Sequence, residues 1–468
     1  MKKLISILLC TCMLVGLAAC ASGEGAEATE PQKSFRVGYS KVNITPSQPA
    51  QLWGYAGRER LHQNVLDYIY LTCVALADEN DNTILMYSVD TGSADKQTAQ
   101  ALKTLVNKET GVPEEHIFFT ATHTHSAPYF TKMGTQLSNA AVQSAQEAIA
   151  DLKPAEMYYG AANTVGISFV RSYYAEDGTV VGVNFGDRTK TLVGHTTEID
   201  DEMRILQFKR EGGKDVIMAN WQCHPHRTGG PEIYDLSADI IGMMRTNMEQ
   251  DLDCLFVYYQ GGAGNIDPIS YIQSEEVNIG REYKEHGRLM AMTAKKALEN
   301  MTKINTGEIK VMTQTQTYNS NKLDLDKIPV AQMVIDYYNE GHTHTEAKAY
   351  AESLDPALQS YFNAVNIVGR ARYPDTYDIT ISAVAIGDLG WGIFPGECFD
   401  ATLRDVRNES PFEYNFTSAY TNDYIGYFPT EVAWDLDGYE VGATRVERGV
   451  AEDMGSRVLD MLNTLHGE

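Results

Sequence analysis

Residues 118–128 read Phe-Phe-Thr-Ala-Thr-His-Thr-His-Ser-Ala-Pro, and the rest of the chain is best read outward from them. The stretch opens as a strand. Ile117, Phe118 and Phe119 form a β-branched and aromatic run suited to a buried strand. It closes as a chemical site. His123 and His125 stand two residues apart where the strand passes into a loop ended by Pro128. In an extended chain, positions i and i+2 face the same way, so both imidazoles are expected on one face. Two imidazoles at the end of a buried strand suit metal ligation or acid–base work. An isolated His-x-His is more often a hydrogen-bonded pair at a loop mouth, but three later segments tip the balance here.

Around this stretch the elements alternate. A first strand is expected at Phe35–Ile44. Leu71–Ala77 and Thr83–Val89 read as a hairpin across the turn-forming cluster Asp78-Glu79-Asn80-Asp81-Asn82. Ser93 is expected to cap a helix over 94–108, with Gly111 as its stop. A helix over 136–151 follows the histidine strand. Downstream, Val216–Gln222 and Leu255–Tyr259 are strands, 239–249 and 277–300 helices, 310–318 and 379–386 further strands, and 450–465 a closing helix. The pattern predicts an α/β fold, a mixed β-sheet core with flanking helices and site loops at strand ends. Residues 319–378 break the rhythm. They read as a helical insertion, either a lid over the site or a surface elaboration. A second His342-Thr343-His344 lies there with no strand leading in, and reads as a solvated loop.

The chain has 468 residues, 43% hydrophobic, ample for a large core. It carries 38 Lys plus Arg against 63 Asp plus Glu, with no basic stripe, so nucleic acid is excluded as a natural partner. Lys2 and Lys3 precede the apolar run Leu4–Leu17, too short for a stable bilayer span. Leu17-Ala18-Ala19-Cys20 resembles the lipobox of bacterial lipoproteins. That implies a signal peptide over 1–19, diacylation of Cys20, a flexible tether to residue 34, and a domain over 35–468 exported and held at a membrane surface. Of the remaining cysteines, Cys73, Cys223, Cys254 and Cys398, none demands a disulfide; Cys223 and Cys398 read as small buried packing residues.

His224 lies in Asn220-Trp221-Gln222-Cys223-His224-Pro225-His226 at the end of an apolar strand. Glu397 lies in Phe394-Pro395-Gly396-Glu397-Cys398-Phe399, where a carboxylate is costly unless paired or metal-bound. Tyr427 lies in Tyr424-Ile425-Gly426-Tyr427-Phe428-Pro429-Thr430. Two neutral imidazoles and a carboxylate form a usual catalytic zinc set, and a phenolate can add a ligand because a dication lowers its pKa.

In this order the segments resemble the catalytic domain of the neutral/alkaline, non-lysosomal ceramidases. The family pattern is Thr-His-Thr-His-Ser-Gly-Pro, Asn-Trp-x-x-x-His-Pro, Gly-Asp-x-Ser-Pro, Pro-Gly-Glu, Tyr-x-x-Tyr-x-Thr-Thr and Tyr-Glu-Gly-Ala-Ser. This chain matches it at 122–128, 220–225, 264–268, 395–397, 424–430 and 439–444. The resemblance implies Zn2+ held by His123, His224, Glu397 and Tyr427, with His125 at the reacting group and Arg171 and Tyr439 facing substrate. It also implies hydrolysis of an N-acylsphingosine or another N-acyl compound by attack of metal-bound water, on a chain without the family's C-terminal immunoglobulin-like domain. Two departures stand out. The family serine of Gly-Asp-x-Ser-Pro is Asp267, which could accept a proton, hold a polar substrate or cap the turn before Pro268; the change leaves room for a different amide or ester. The family's His-Pro-Thr is His224-Pro225-His226, with His226 a neighbour of the site or a loop hydrogen-bonder. A metallo-esterase or phosphatase on the same scaffold, or a ligand-binding lipoprotein without turnover, are the rival readings. Oligomeric state is not legible.

Overall fold

The computed structural model describes residues 34–55, 57, 59–182, 190–272, 282–358, 360–436 and 438–467. The signal peptide, Cys20 and the tether lie outside the described residues, as does the start of the helix expected at 277. Among the described residues, no helix is long and apolar enough to cross a membrane.

In chain order the elements that frame the site are β1 (Arg36–Asn43), β2 (Tyr70–Ala77), β3 (Thr83–Val89), α1 (Lys96–Thr110), β4 (Ile117–Ala121), α2 (Gly134–Ala150), β5 (Lys153–Asn163), β6 (Phe169–Val170), β7 (Glu202–Arg210), β8 (Val216–Trp221), α3 (Asp239–Leu252), β9 (Leu255–Gln260), β10 (Ile266–Asp267) and α4 (Tyr283–Leu298). They continue with β11 (Ile309–Asn319), α5 (Ile328–Asn339), α6 (His344–Leu354), α7 (Tyr361–Arg370), β12 (Thr376–Ile386), β13 (Leu389–Ile393), β14 (Glu397–Cys398), α8 (Asp400–Glu409), β15 (Tyr414–Ser418), β16 (Tyr427–Phe428), α9 (Tyr439–Ala443) and α10 (Val450–His466). The large sheet runs β9-β8-β7-β5-β1-β2-β3-β4, with Thr302–Ile304 added beside β5. Its outer pairs, β3 with β4 and β8 with β9, are parallel, and the strands between them pair antiparallel. A second sheet runs β11-β12-β13-β15. The α/β class and mixed sheet read from the sequence are therefore present.

Side-chain alternation explains the layering. From β2 and β3, Cys73, Ala75, Leu85 and Tyr87 join the core under α1 and α2. Val74, Leu76, Ile84 and Met86 point the other way, into a core shared with Val384, Trp391 and Phe416 of the second sheet. Burial on both faces is why these strands read as unbroken apolar runs rather than alternating ones. Tyr259 and Trp391 meet edge to face between the sheets, centroids 5.0 Å apart. Helices α3 and α4 cover β7–β9 through Ile240, Met244, Met290 and Ala294. The large sheet curls until its β9 edge approaches β3, next to the opposite edge: the Tyr259 hydroxyl donates to the Met86 carbonyl (2.9 Å) and the Ser88 hydroxyl to the Tyr258 carbonyl (2.7 Å).

The 71–77/83–89 hairpin forms in the expected register, and Asp78 Oδ1 caps its turn by accepting from Asn80 N and Asn82 N. Helix α1 begins two residues later than the sequence suggests. Asp95, not Ser93, is its cap, accepting from Thr98 N at 3.1 Å; Asp offers the same capping oxygen and sits next to the helical run. Cys73, Cys223, Cys254 and Cys398 are buried free thiols. The 319–378 insertion is helical (α5–α7) around a small core of its own that includes Val334, Ala351 and Ile367.

Candidate functional site

The site collects at one end of the sheets, where parallel strands stop. β4 leads to His123, β8 to His224, β13 to Glu397 and β15 to Tyr424 and Tyr427. One side chain ties two of these exits together: Gln260 Nε2, at the end of β9, donates to the carbonyls of Thr122 (3.2 Å) and Cys223 (2.8 Å). Asn220 links the sheets by donating to Thr417 O (2.8 Å) and accepting from Thr417 N (3.1 Å). Glu397 and Tyr427 are brought side by side by the two-residue parallel pair β14–β16. Pairing of β10 with β6 likewise sets Asp267 beside the approach to Arg171, whose N–H donates to Asn265 O (2.9 Å).

The two histidines of 123–125 meet differently from strand alternation. β4 ends at Ala121, and His123 takes a left-handed backbone with φ +69°, rare for a residue with a side chain. That kink, fixed by His123 N donating to Thr91 O at 2.9 Å, turns the ring inward. His123 Nε2 then lies 3.1 Å from His224 Nε2 and 3.3 Å from His125 Nε2. Glu397 Oε2 lies 3.3 Å from His123 Nε2 and 3.2 Å from His224 Nε2.

Proton accounting makes this cluster informative. His123 Nδ1 is 2.6 Å from Gly92 O, and His224 Nδ1 is 2.7 Å from Ala263 O. A carbonyl only accepts, so in each neutral ring the proton sits on Nδ1. Each Nε2 is thereby left as a bare lone pair. Two lone pairs 3.1 Å apart, facing a carboxylate oxygen, have no proton to share, and Glu397 Oε2 finds no hydrogen-bond donor. Acceptors converging in a buried space call for a cation. Carbonyls fixing the tautomer of metal-binding imidazoles are the usual outer support of such sites. His123, His125 and His224 form the one group of three potential metal ligands among the described residues. The charges agree. Burial holds the His224 imidazole down at about 3 and the His125 imidazole well below its ordinary range, so both are neutral bases. Burial alone would raise Glu397; positive charge at His123 and His224 lowers it far below the usual carboxylate range, the charge that a cation between two neutral rings would supply instead.

Around the donors lies an aromatic box that the sequence did not announce. Trp53 sets its edge against His123 (5.0 Å between ring centres) and His125 (4.9 Å); Tyr420 tilts over His123 (4.3 Å). Tyr424, the first tyrosine of Tyr-x-x-Tyr, donates its hydroxyl to Glu397 Oε1 at 2.5 Å. Tyr55 lies 5.3 Å from His125, and Gly54, with φ +113°, leaves that ring the space a Cβ would take. The motif position of Tyr424 was the one available signal; nothing marked Trp53 or Tyr55.

Arg171 is buried and paired with Glu440 (Nε to Oε1, 2.6 Å), its guanidinium 5.5 Å from the Tyr427 ring centre. Its Nη2 is buried with no partner, a donor kept free at the site. Tyr439, on α9, stands with its ring 5.7 Å from that of Tyr427. His226 also reaches the cluster, 5.8 Å from the His125 ring and 5.7 Å from the His224 ring. Asp267 stays ionised in its buried position: burial raises it, but His226 and Arg171 bring it below the ordinary carboxylate range. The structure thus gathers His123, His125, His224, Glu397, Tyr427, Arg171, Tyr439, Asp267 and His226 at one place. His342 and His344 lie apart from it, in the insertion. His342 keeps its place in the turn before α6, its ring stacked on Tyr337, while Thr343 caps α6 with a capping box to Glu346 and His344, inside the helix, packs on Phe362 (4.7 Å, nearly parallel).

A two-sheet α/β fold with buried histidines and a carboxylate at strand ends defines a class of metal-site scaffold. Within it, this chain has the fold of the neutral ceramidases. The neutral ceramidase from Pseudomonas aeruginosa superposes with a TM-score of 0.68 over 93% of this chain and 75% of that one, at 16% identity. A structure described as ceramidase complexed with C2 superposes with a TM-score of 0.69, at the same coverage and identity. Compared by sequence alone, no family model and no curated protein matches.

Proposed function

We propose that this chain is a zinc-dependent hydrolase that cleaves an amide bond of an N-acyl compound, as ceramidases do, and that it works outside the cell on a lipid anchor at Cys20. The observation that carries the reading is the cluster of proton-free donors: Nε2 of His123 and His224, with Glu397 Oε2 against both. These three residues hold the ion in this reading, with Tyr427 beside Glu397 as a further ligand. Bound there, zinc supplies Lewis-acid polarisation of a carbonyl and lowers the pKa of a coordinated water to about 7.

The chain's own residues do the rest. Arg171 Nη2, unpartnered and buried, donates to the carbonyl oxygen of the substrate and to the charge that develops there. Glu440 holds the guanidinium in place. His125, a neutral base packed by Trp53 and Tyr55, accepts a proton at the reacting group and returns it to the departing amine. Tyr439 closes the substrate side. The aromatic box keeps bulk water from the donors, which strengthens every charge interaction inside it.

Zinc content by plasma mass spectrometry tests the reading. About one zinc per chain is expected after supply of the metal, with hydrolysis of simple amides by that form alone. A folded protein that takes up no zinc sinks it. For the anchor, a Cys20→Ser variant is expected to move from the membrane to the soluble fraction of the producing cells.

A further inference from the structure

Two of the positions at which this chain departs from the ceramidase motifs, His226 and Asp267, lie on separate segments, one after β8 and one in β10. In the fold they face each other. His226 Nε2 is 3.5 Å from Asp267 Oδ1. The carboxylate is deep, its side chain 1% exposed; the imidazole is 19% exposed, nearer the opening. Asp267 Oδ1 also accepts from Ile269 N, but at 3.3 Å. Both contacts are long for hydrogen bonds to an ionised acid, which usually fall near 2.8 Å. His226 Nε2 is buried and finds no acceptor in good geometry. The orphaned atom of the pair is His226 Nε2, and a buried polar atom without a partner costs stability until something completes its shell.

The surroundings indicate what completes it. Polar side chains surround the pair, the His125 and His224 rings standing 5.8 and 5.7 Å from the His226 ring. Beside Arg171, the cavity lined by Val170, Phe399, Leu436 and Val441 offers about 40 Å³, room for a few water molecules.

We propose that His226 and Asp267 act together as one substrate-selecting element, which takes a hydrogen-bond-donating group, best a cationic amino group, carried on the amine side of the amide. The proposal rests on the amide-hydrolase reading above. A site built to bond a polar group rejects an analogue that lacks it far more strongly than an apolar pocket rejects an extra group, because its buried acceptor is left unpaired. Asp267 contacts the donor group; His226 closes over it from the open side.

The test uses three amides of one shape: N-acetylethylenediamine, N-acetylethanolamine and N-propylacetamide, ending in ammonium, hydroxyl and methyl. The zinc-loaded full domain is expected to cleave the first at least about tenfold better than the third, in kcat/KM, with the second between. Asp267→Ser combined with His226→Thr restores the ceramidase residues and is expected to flatten that ranking. Asp267→Asn, which keeps the side-chain shape, should do the same with an unchanged melting temperature. Saturation-transfer NMR on the metal-free protein reads binding without turnover and should give the same order. Equal handling of all three amides, or a preference that survives in the double variant, overturns the proposal. If the three bind in the expected order but none is cleaved, the hydrolase reading falls and the selecting pair stands. If none binds, the pair falls too.

Discussion

The chain writes His-Thr-His twice, and the two copies could hardly differ more. At 123–125 it follows a fully buried strand, the first histidine is kinked to φ +69°, and both rings turn onto a third from another strand end. At 342–344 it follows Gly341 at a bend between helices. There the threonine does the structural work, capping α6, while His342 stacks on Tyr337 (3.7 Å, 3° between planes) and His344 on Phe362. The tripeptide itself carries no chemistry. What suits His123 to hold a cation is the Gly92 carbonyl behind its ring, which takes the Nδ1 proton, and the Glu397 carboxylate in front, which has none to give.

The sharpest way to test that contrast is His123→Ala. It should take bound zinc from about one per chain to near none and lower amide hydrolysis by at least about a thousandfold, since a catalytic zinc site rarely survives loss of one of its protein ligands. Mass spectrometry and a rate assay would read both. A milder probe leaves every ligand in place. Tyr424→Phe removes the hydroxyl that steadies Glu397 Oε1 and should weaken zinc binding about ten- to a hundredfold, measured by chelator competition. Retained affinity would show that the carboxylate is set by its backbone pairing alone. On the other copy, His344→Ala should leave zinc content untouched and cost about 1–2 kcal/mol of stability in denaturant unfolding, from lost contact with Phe362 and Tyr361. Least of all, His342→Ala should stay within about 0.5 kcal/mol of the parent, because its stacking partner is at the surface of the insertion. Zinc loss in either of these last variants would break the comparison.

Much of this was legible beforehand. The strands around the site are buried on both faces, so their apolar runs stood out, and the hairpin turn announced itself through Asp78. The motif order pointed to the fold although identity to its solved neighbours is 16%. The cap of α1 was misplaced by two residues because Ser93 and Asp95 both carry a capping oxygen, and tertiary packing chooses between them. Trp53, Tyr55 and Gly54 could not be found: they sit on an irregular segment with no periodicity, and only the fold brings that segment over His125. The contact between His226 and Asp267 was hidden for the same reason, since each residue alone had a plausible local role. Strand alternation predicted the pairing of His123 and His125 for a reason the kink at His123 replaces.

The carbonyls of Gly92 and Ala263 have an effect beyond orientation. In many zinc sites, uptake of the ion must first expel protons from its ligands, so affinity climbs with pH and heat passes to the buffer. Here His224 stays unprotonated down to about pH 3, and Glu397 is ionised below the usual carboxylate range. Loading at neutral pH therefore displaces no proton from either ligand. Calorimetric heats of zinc uptake should carry no contribution from these two residues when buffers of different ionisation enthalpy are exchanged. Any proton that loading releases is then left to the other ligands, above all the Tyr427 phenol, which burial pushes up.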